Sequence, residues 1–240
     1  MTYFKKKLTT LAVCAAVMVS ANVSAATDAT FTLTGDFKPA ACVPTLDNGG
    51  TVDFGKMNTT KLSTATGSTG LVQLGRKSIT LTITCDAAAS VGILTQDNRS
   101  SSKIDLSTTT YIENGSNDSK NMVNADYVYG LGTTDDGKSI GGYSLRAIIA
   151  GTTVDGVASD LIYKNISPSE SPWILATDGV LYPNNGRVLS AADTGSLVPK
   201  YFTEMTVPLY ITAAVQTKDK LGSASEVKMD GSATISLVYL

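Results

Sequence analysis

Histidine is absent from this chain of 240 residues, and cysteine occurs only three times. Without an imidazole, the chain cannot build the Ser-His or Cys-His pairs that activate a nucleophile near neutral pH. A common zinc ligand is missing as well, and no CxxC pair takes its place. These absences argue against histidine-dependent catalysis and against a metal centre, so we expect no catalytic residue, metal ligand or cofactor.

The stretch GKSIG at 137–141 does not change this expectation. It has the G-x-S-x-G spacing of a nucleophile elbow, which needs a strand before the serine, a helix after it and a histidine to take its proton. Here a turn-forming DDGK leads into the serine and a strand-like stretch follows it. An exported hydrolase that works through carboxylates alone stays open as an alternative.

Charged side chains are scarce, at 17% of the chain, and the long apolar run lies near the start. Three lysines at 5–7 precede about a dozen apolar residues from Leu8, and small residues follow before Thr27. This is the order of a secretory signal peptide, and we predict cleavage after Ala25. The formal charge then moves from −2 to −5, because three lysines leave without any acid. We expect an exported protein without membrane insertion and without nucleic-acid binding.

Cysteine is limited to two residues after the signal peptide, because Cys14 leaves with it. Cys42 and Cys85 remain, and two cysteines in an oxidising compartment most simply form one disulfide. We therefore predict a structural bridge between them.

Alternating apolar residues, the period of a half-buried β-strand, recur along the rest of the chain. Helical periodicity is limited to a hint at 188–195, and turns rich in Gly, Asn and Asp separate the strand-like stretches. Many short strands with one disulfide predict an Ig-like β-sandwich, formed by a single domain over 26–240. The predicted strands include 29–37, 78–85, 143–151, 205–215 and 231–240.

Residues 96–142 are rich in Ser, Thr, Asn, Asp and Gly and poor in large aliphatic residues. We expect a long polar insertion there, mostly surface loop, with a strand near Tyr127–Tyr129. Aromatic rings among polar loop residues can stack on a sugar face, which makes Tyr127, Tyr129 and Trp173 candidate glycan contacts. Tyrosine is also common in strands and at sandwich rims, so the rings alone do not establish a ligand site.

Five stretches together resemble the pilin-type subunits of the bacterial chaperone–usher pathway. The match covers the two ends of the chain and is weak across 96–200. Within this class the chain is similar to fimbria-like periplasmic proteins of the GltF and YhcF type. The stretches are FTLTGDFKPAACVP (31–44), VDFGKM (52–57), ITLTITC (79–85), VPLYITAAV (207–215) and ISLVYL (235–240).

The resemblance implies a sandwich that lacks its last strand and therefore has an apolar groove. A periplasmic chaperone fills this groove, and the N-terminal segment of a neighbouring subunit later replaces it during assembly at the outer-membrane usher. The implied location is the periplasm and then a cell-surface fimbrium, with a structural or adhesive role and a host glycan as a further candidate partner. The implied groove residues are Ala233, Ile235, Leu237, Tyr239 and Leu240, and the candidate donor residues are Ala29, Phe31 and Leu33.

Two features depart from the family pattern. Val227 occupies the position where family members commonly carry glycine. If 31–37 is the first strand of the sandwich, only residues 26–30 precede it, and at about 3.3 Å per residue they reach roughly 16 Å, less than a whole groove. The alternative from a different class is a self-contained periplasmic carbohydrate-binding β-sandwich that uses the 96–142 loops and Trp173.

Overall fold

The structure is a computed structural model that describes residues 30–36, 38, 40–167, 171–223 and 226–240. The predicted signal peptide, 1–25, lies outside the described residues. The chain divides into two compact units, Met1–Lys38 and Pro39–Leu240. The second unit holds all fourteen strands found in the described ranges, and no α-helix occurs among those residues.

Twelve of these strands form two sheets, and the remaining two form a separate hairpin. The first sheet contains β1 (Cys42–Leu46), β2 (Val72–Ala89), β6 (Tyr129–Gly130), β7 (Gly141–Ala147), β8 (Thr153–Val154), β9 (Val157–Ala158) and β13 (Phe202–Val215). The second sheet contains β3 (Val91–Asp97), β10 (Asp160–Asn165), β11 (Ile174–Leu175), β12 (Arg187–Ala192) and β14 (Ala233–Tyr239). The hairpin consists of β4 (Ile112–Asn117) and β5 (Lys120–Met122).

The first sheet is built around the two longest strands. β2 and β13 run antiparallel and pair from Val72 opposite Val215 to Ala89 opposite Phe202. β1 pairs with the other side of β2, while β7 and then β6 continue the sheet beyond β13. The small β8–β9 ribbon joins the sheet through β13. β1 is therefore an edge strand of this sheet.

The second sheet has the order β11-β10-β12-β3-β14. β14 pairs antiparallel with β3 over its whole length, from Ala233 opposite Asp97 to Tyr239 opposite Val91. The C-terminal strand is therefore also an edge strand, and it belongs to the opposite sheet from β1.

The core lies between the two sheets, as the alternating sequence predicts. Leu81 and Ile83 of β2 are fully buried and belong to the same apolar cluster as Ile93 of β3, Leu161 of β10 and Leu189 of β12. The prediction of an all-β sandwich is confirmed.

Short 3-10 turns connect the strands where the chain changes direction. They are Asp47–Gly50, Thr59–Ser63, Ser100–Ser102, Ala125–Tyr127, Ile149–Gly151 and Lys218–Lys220.

Two predicted elements are wrong. Residues 30–36 form no strand, although Phe31 and Leu33 alternate with threonines, and the first strand begins only at Cys42. Residues 187–192 form strand β12 rather than a helical turn, because this stretch is buried on both faces and so lacks the in–out alternation of a half-exposed strand. The insertion at 96–142 is also more ordered than predicted, since it contributes β4, β5 and β6.

Candidate functional site

The C-terminal strand β14 has one face towards the core. Ala233, Ile235 and Leu237 are partly buried and pack against the core cluster, while Thr234 and Ser236 between them are exposed. Tyr239 and Leu240 at the end of the strand are 53% and 40% exposed. The structure thus brings together four of the five predicted groove residues on one edge strand, with Leu240 directly after it.

The backbone of the same core-facing residues is turned away from the sheet. The Leu240 N–H donates to the Ser90 carbonyl at 3.0 Å, and the Asn98 N–H donates to the Ser232 carbonyl at 3.0 Å. Antiparallel strands alternate between residues that bond to the neighbour and residues that point away from it. The N–H and C=O groups of the even-numbered residues of β14 therefore point towards β3. Those of residues 233, 235, 237 and 239 point away from it. Within the described part of the chain, no strand pairs with that side.

The opposite wall of the gap begins with β1, whose free edge is poor in donors. The Asp86 N–H donates to the Ala41 carbonyl at 3.0 Å, so the backbone groups of Ala41 point towards β2. The backbone groups of the even-numbered Cys42, Pro44 and Leu46 therefore point away from β2. Pro44 has no N–H to offer. β1 therefore offers an incomplete set of backbone donors to a further strand, whereas β14 offers a donor and an acceptor at every outward-facing residue.

The disulfide holds β1 at this position. Cys42 and Cys85 are directly opposite on β1 and β2, and their Cα atoms are 4.0 Å apart. This is the close type of antiparallel pair, in which neighbouring side chains approach most nearly. The predicted bridge is confirmed.

Two cavities lie between these edges. One of about 350 Å³ is lined by Val52 and Phe54 on one side and by Ala233 and Ile235 on the other. Its further lining includes Leu145, Leu209 and Ile211 of the core. The second, of about 400 Å³, shares Leu46, Ala233 and Ile235 with the first, and Leu81 also lines it. Core side chains are therefore reachable from the gap between the two sheets, as in a sandwich whose edge is open.

Residues 51–57 join no sheet, and three of them, Val52, Asp53 and Phe54, line the cavity of about 350 Å³. Val52 and Phe54 are partly buried against the core, while Thr51, Asp53 and Gly55 are exposed, which is the in–out alternation of a strand. No strand is assigned to this stretch. The alternation within VDFGKM (52–57) is the sequence signal for this wall of the cavity.

Residues 30–36 have the alternating sequence pattern of a strand but pair with no strand in the described structure. Phe31 and Leu33 have side chains that are 85% and 84% exposed. Ala29, the third candidate donor residue, lies outside the described residues. Sixteen residues, 26–41, lie between the predicted cleavage site and β1.

The three candidate glycan contacts do not form one site. Tyr129 is fully buried, stacks on Tyr143 at 5.0 Å and shares a 2.7 Å hydrogen bond with Thr95, so it is a core residue and has no face for a sugar. Burial raises the pKa of its hydroxyl far above the ordinary value. Tyr127 stacks on Tyr182 at 4.3 Å. The ring of Trp173 lies under Lys164 instead, in a separate contact.

A buried arginine lies beside Tyr182. Arg187 is 6% exposed, and its guanidinium lies 3.8 Å from the ring centroids of both Tyr163 and Tyr182. It also approaches Asp178 at 3.5 Å. These contacts give the rim tyrosines a structural role in packing a buried charge.

A second charged cluster attaches the hairpin to the first sheet. Asp118, in the turn between β4 and β5, accepts hydrogen bonds from Arg146 at 2.6 Å and from Arg76 at 2.7 Å. These two bonds, with Arg146 the larger influence, hold the pKa of Asp118 below its ordinary value. Local sequence patterns do not predict this cluster, because the two arginines lie 28 and 42 residues from Asp118.

The described residues lack two other kinds of functional feature. No group of three or more metal-ligating side chains comes together there. No helix in those same ranges is long and apolar enough to cross a membrane.

Comparison with known proteins identifies relatives along the whole chain. A family profile described as "Protein of unknown function (DUF1120)" matches residues 31–144. Protein GltF of Escherichia coli K12 is 37% identical over 253 aligned residues, which cover 99% of this chain and all of GltF. The uncharacterized protein YhcF of the same strain is 30% identical over 214 residues, covering 84% of this chain and 86% of YhcF.

Proposed function

Since this chain belongs to the same family as GltF and YhcF of Escherichia coli, we propose that it is a structural or adhesive subunit of a chaperone–usher fimbria, assembled by accepting a strand from another chain. The observation that carries the proposal is the open edge of β14. Its outward backbone groups have no strand partner in the described structure, and the cavity beside them is lined by core side chains.

An added strand would satisfy both needs of this edge at once. Its backbone would bond to the outward groups of residues 233, 235 and 237, and its alternate side chains would enter the cavities between Phe54 and Ile235. A long apolar edge left without a partner promotes edge-to-edge aggregation. A periplasmic chaperone that supplies a temporary strand would prevent this.

The N-terminal segment of a second copy fits the requirements for the permanent strand. The sixteen residues between its predicted cleavage site and β1, at about 3.3 Å each, extend roughly 53 Å, whereas the seven residues of β14 span about 23 Å. The segment judged too short from the sequence is therefore long enough, because the stretch 30–36 is not consumed by a strand of its own sandwich. Burying the exposed Phe31 and Leu33 side chains would contribute about 3–6 kcal/mol.

The test changes one residue that faces the groove and one that does not. Ile235→Lys puts a charge on the cavity wall, while Ser236→Lys puts the same charge on the exposed face of the same strand. We expect Ile235→Lys to lose co-purification with a co-expressed periplasmic chaperone of the usher pathway, and Ser236→Lys to retain it. Thiol labelling measures formation of the Cys42–Cys85 bridge and so shows whether each variant has folded.

The proposal also predicts the result for the unmodified chain. A protein that accumulates in the periplasm as a stable monomer without any chaperone, and that gains no stability from an added strand, would contradict it. That outcome would favour the self-contained sandwich.

A further inference from the structure

The open edge is closed at one end by a side chain. The Tyr239 hydroxyl accepts a hydrogen bond of 2.9 Å from the backbone N–H of Cys42, and so links the edge strand of one sheet to the edge strand of the other. We infer that this link is a stop, which limits the strand that the groove accepts to the part of β14 between Ala233 and Leu237. The inference rests on the proposed function and adds the determinant of strand length.

The position of Tyr239 on β14 makes it suited to this role. It has the same parity as Ala233, Ile235 and Leu237, so its backbone N–H and C=O point outward like theirs. A strand that continued past Leu237 would bond to these groups. The Tyr239 side chain spans the space that such a strand would need, because it reaches from β14 to Cys42 on β1.

The other end of the link cannot easily retreat. Cys42 is bonded covalently to Cys85 of β2, and β2 is paired on its far side with β13. The Cys42 N–H is the outward-facing donor of β1 at this end, and the next outward position is Pro44, which has no N–H. With the Cys42 N–H occupied by Tyr239, β1 offers an incoming strand no donor before Leu46.

The stop is expected to be selective rather than absolute. Tyr239 is 53% exposed, so water can replace the hydroxyl if the ring swings away. A longer strand can therefore bind if it breaks this one hydrogen bond and displaces the Tyr239 ring. In the Tyr239→Phe variant the ring remains but the Cys42 N–H becomes free for the carbonyl of an incoming strand.

The experiment measures how length affects affinity. Fluorescent peptides with the sequences of residues 29–35, 26–35 and 29–38 are titrated into the full chain isolated from the periplasm, and their Kd values are measured by anisotropy. The same titrations use Tyr239→Phe and a control variant, Tyr201→Phe, which removes the hydroxyl of an exposed tyrosine that lines neither cavity.

One end of a bound peptide faces Tyr239, so only one of the two extensions meets the stop. We expect Tyr239→Phe to leave the Kd of peptide 29–35 unchanged and to lower the Kd of one extended peptide about tenfold, with the other extended peptide unaffected. A tenfold change corresponds to the upper range for one hydrogen bond. Tyr201→Phe should change none of the three values.

Two contrary outcomes have different meanings. If the peptides bind but Tyr239→Phe changes all three Kd values equally, or none of them, the stop is refuted while the groove stands. If no peptide binds either protein, the groove itself is refuted and the stop with it.

Discussion

At the scale of single residues, the molecule shows two kinds of polar contact. Arg187 is buried between two tyrosine rings, where removal of water strengthens its attraction to the aromatic faces. Asp118 is 73% exposed, yet it joins two arginines from different strands of the first sheet. Its value lies in this double contact, because a single exposed ion pair contributes little.

The Asp118 contact predicts a pH dependence. The pKa of this carboxyl is lower in the folded chain than in the unfolded chain, mainly because Arg146 and Arg76 donate to it. The resulting stabilisation is complete above the unfolded value of about 3.9 and is lost as the pH falls through the folded value. We therefore expect Asp118→Asn to lower the Tm at pH 7. The difference in Tm from the unmodified protein should disappear below about pH 4.

Thermal denaturation, monitored by circular dichroism from pH 3 to 7, measures this difference in Tm. Asp193→Asn serves as the control, since Asp193 pairs with Lys200 alone and is similarly exposed. A difference that is constant over the whole pH range would show that Asp118 acts through its shape rather than its charge.

At the scale of elements, the edge strands decide what the sandwich can bind. β14 exposes a regular row of backbone donors and acceptors, while β1 has Pro44 on its free side and its first outward N–H bonded to Tyr239. Proline on an edge strand is a common way of preventing further pairing. The open edge is thus asymmetric, and under the proposed function β14 is its binding side.

The disulfide should matter most for β1, because this strand is paired only with β2 in the described structure. The bridge closes a loop of 43 residues, for which restriction of the unfolded chain gives about 4 kcal/mol. We expect the double variant Cys42→Ser, Cys85→Ser to lose up to about this free energy of unfolding in urea titrations. It should also accumulate less in the periplasm. An unchanged urea midpoint would mean that β1 is held by its packing alone.

At the scale of the whole molecule, the sandwich has a core that is well covered on most sides and open on one. Phe202, Leu81 and Leu161 are almost completely excluded from solvent, whereas Ala233, Ile235 and Leu237 at the open edge are only partly covered. Under the proposed function, one additional strand would cover these partly buried side chains.

A strand added within the same chain should therefore complete the fold. We expect a copy of residues 27–38, joined after Leu240 through about six Gly and Ser residues, to raise the Tm and to keep the protein monomeric. A flexible linker of this length spans roughly 13 Å, enough to turn back along a strand about 4.8 Å away.

The matched control carries the same extension with Phe31→Asp and Leu33→Asp in the added copy, so that length and linker are identical. Calorimetry and size-exclusion chromatography compare the two proteins. Equal Tm values for the two extensions would show that the added segment does not enter the groove.

The sequence by itself determined the all-β class, the disulfide and the inward residues of β14. These features depend on local alternation and on which cysteines remain, and both can be counted along the chain. It failed at 30–36 and at 187–192, where alternation and burial do not correspond. An alternating segment forms a strand only when another strand is available to pair with it, and no partner is assigned to 30–36.

Only the tertiary structure decided how distant residues meet. Tyr129 is a candidate glycan contact by sequence but a core residue in the structure, where its ring stacks on Tyr143 of β7 and its hydroxyl bonds to Thr95 of β3. The contacts of Tyr239 with Cys42, and of Asp118 with Arg146, join positions far apart in sequence. Such contacts depend on the order of strands in two sheets, which local periodicity does not encode. The alternation of β14 could be seen in the sequence, but the hydrogen bond from Cys42 to Tyr239 at its end could not.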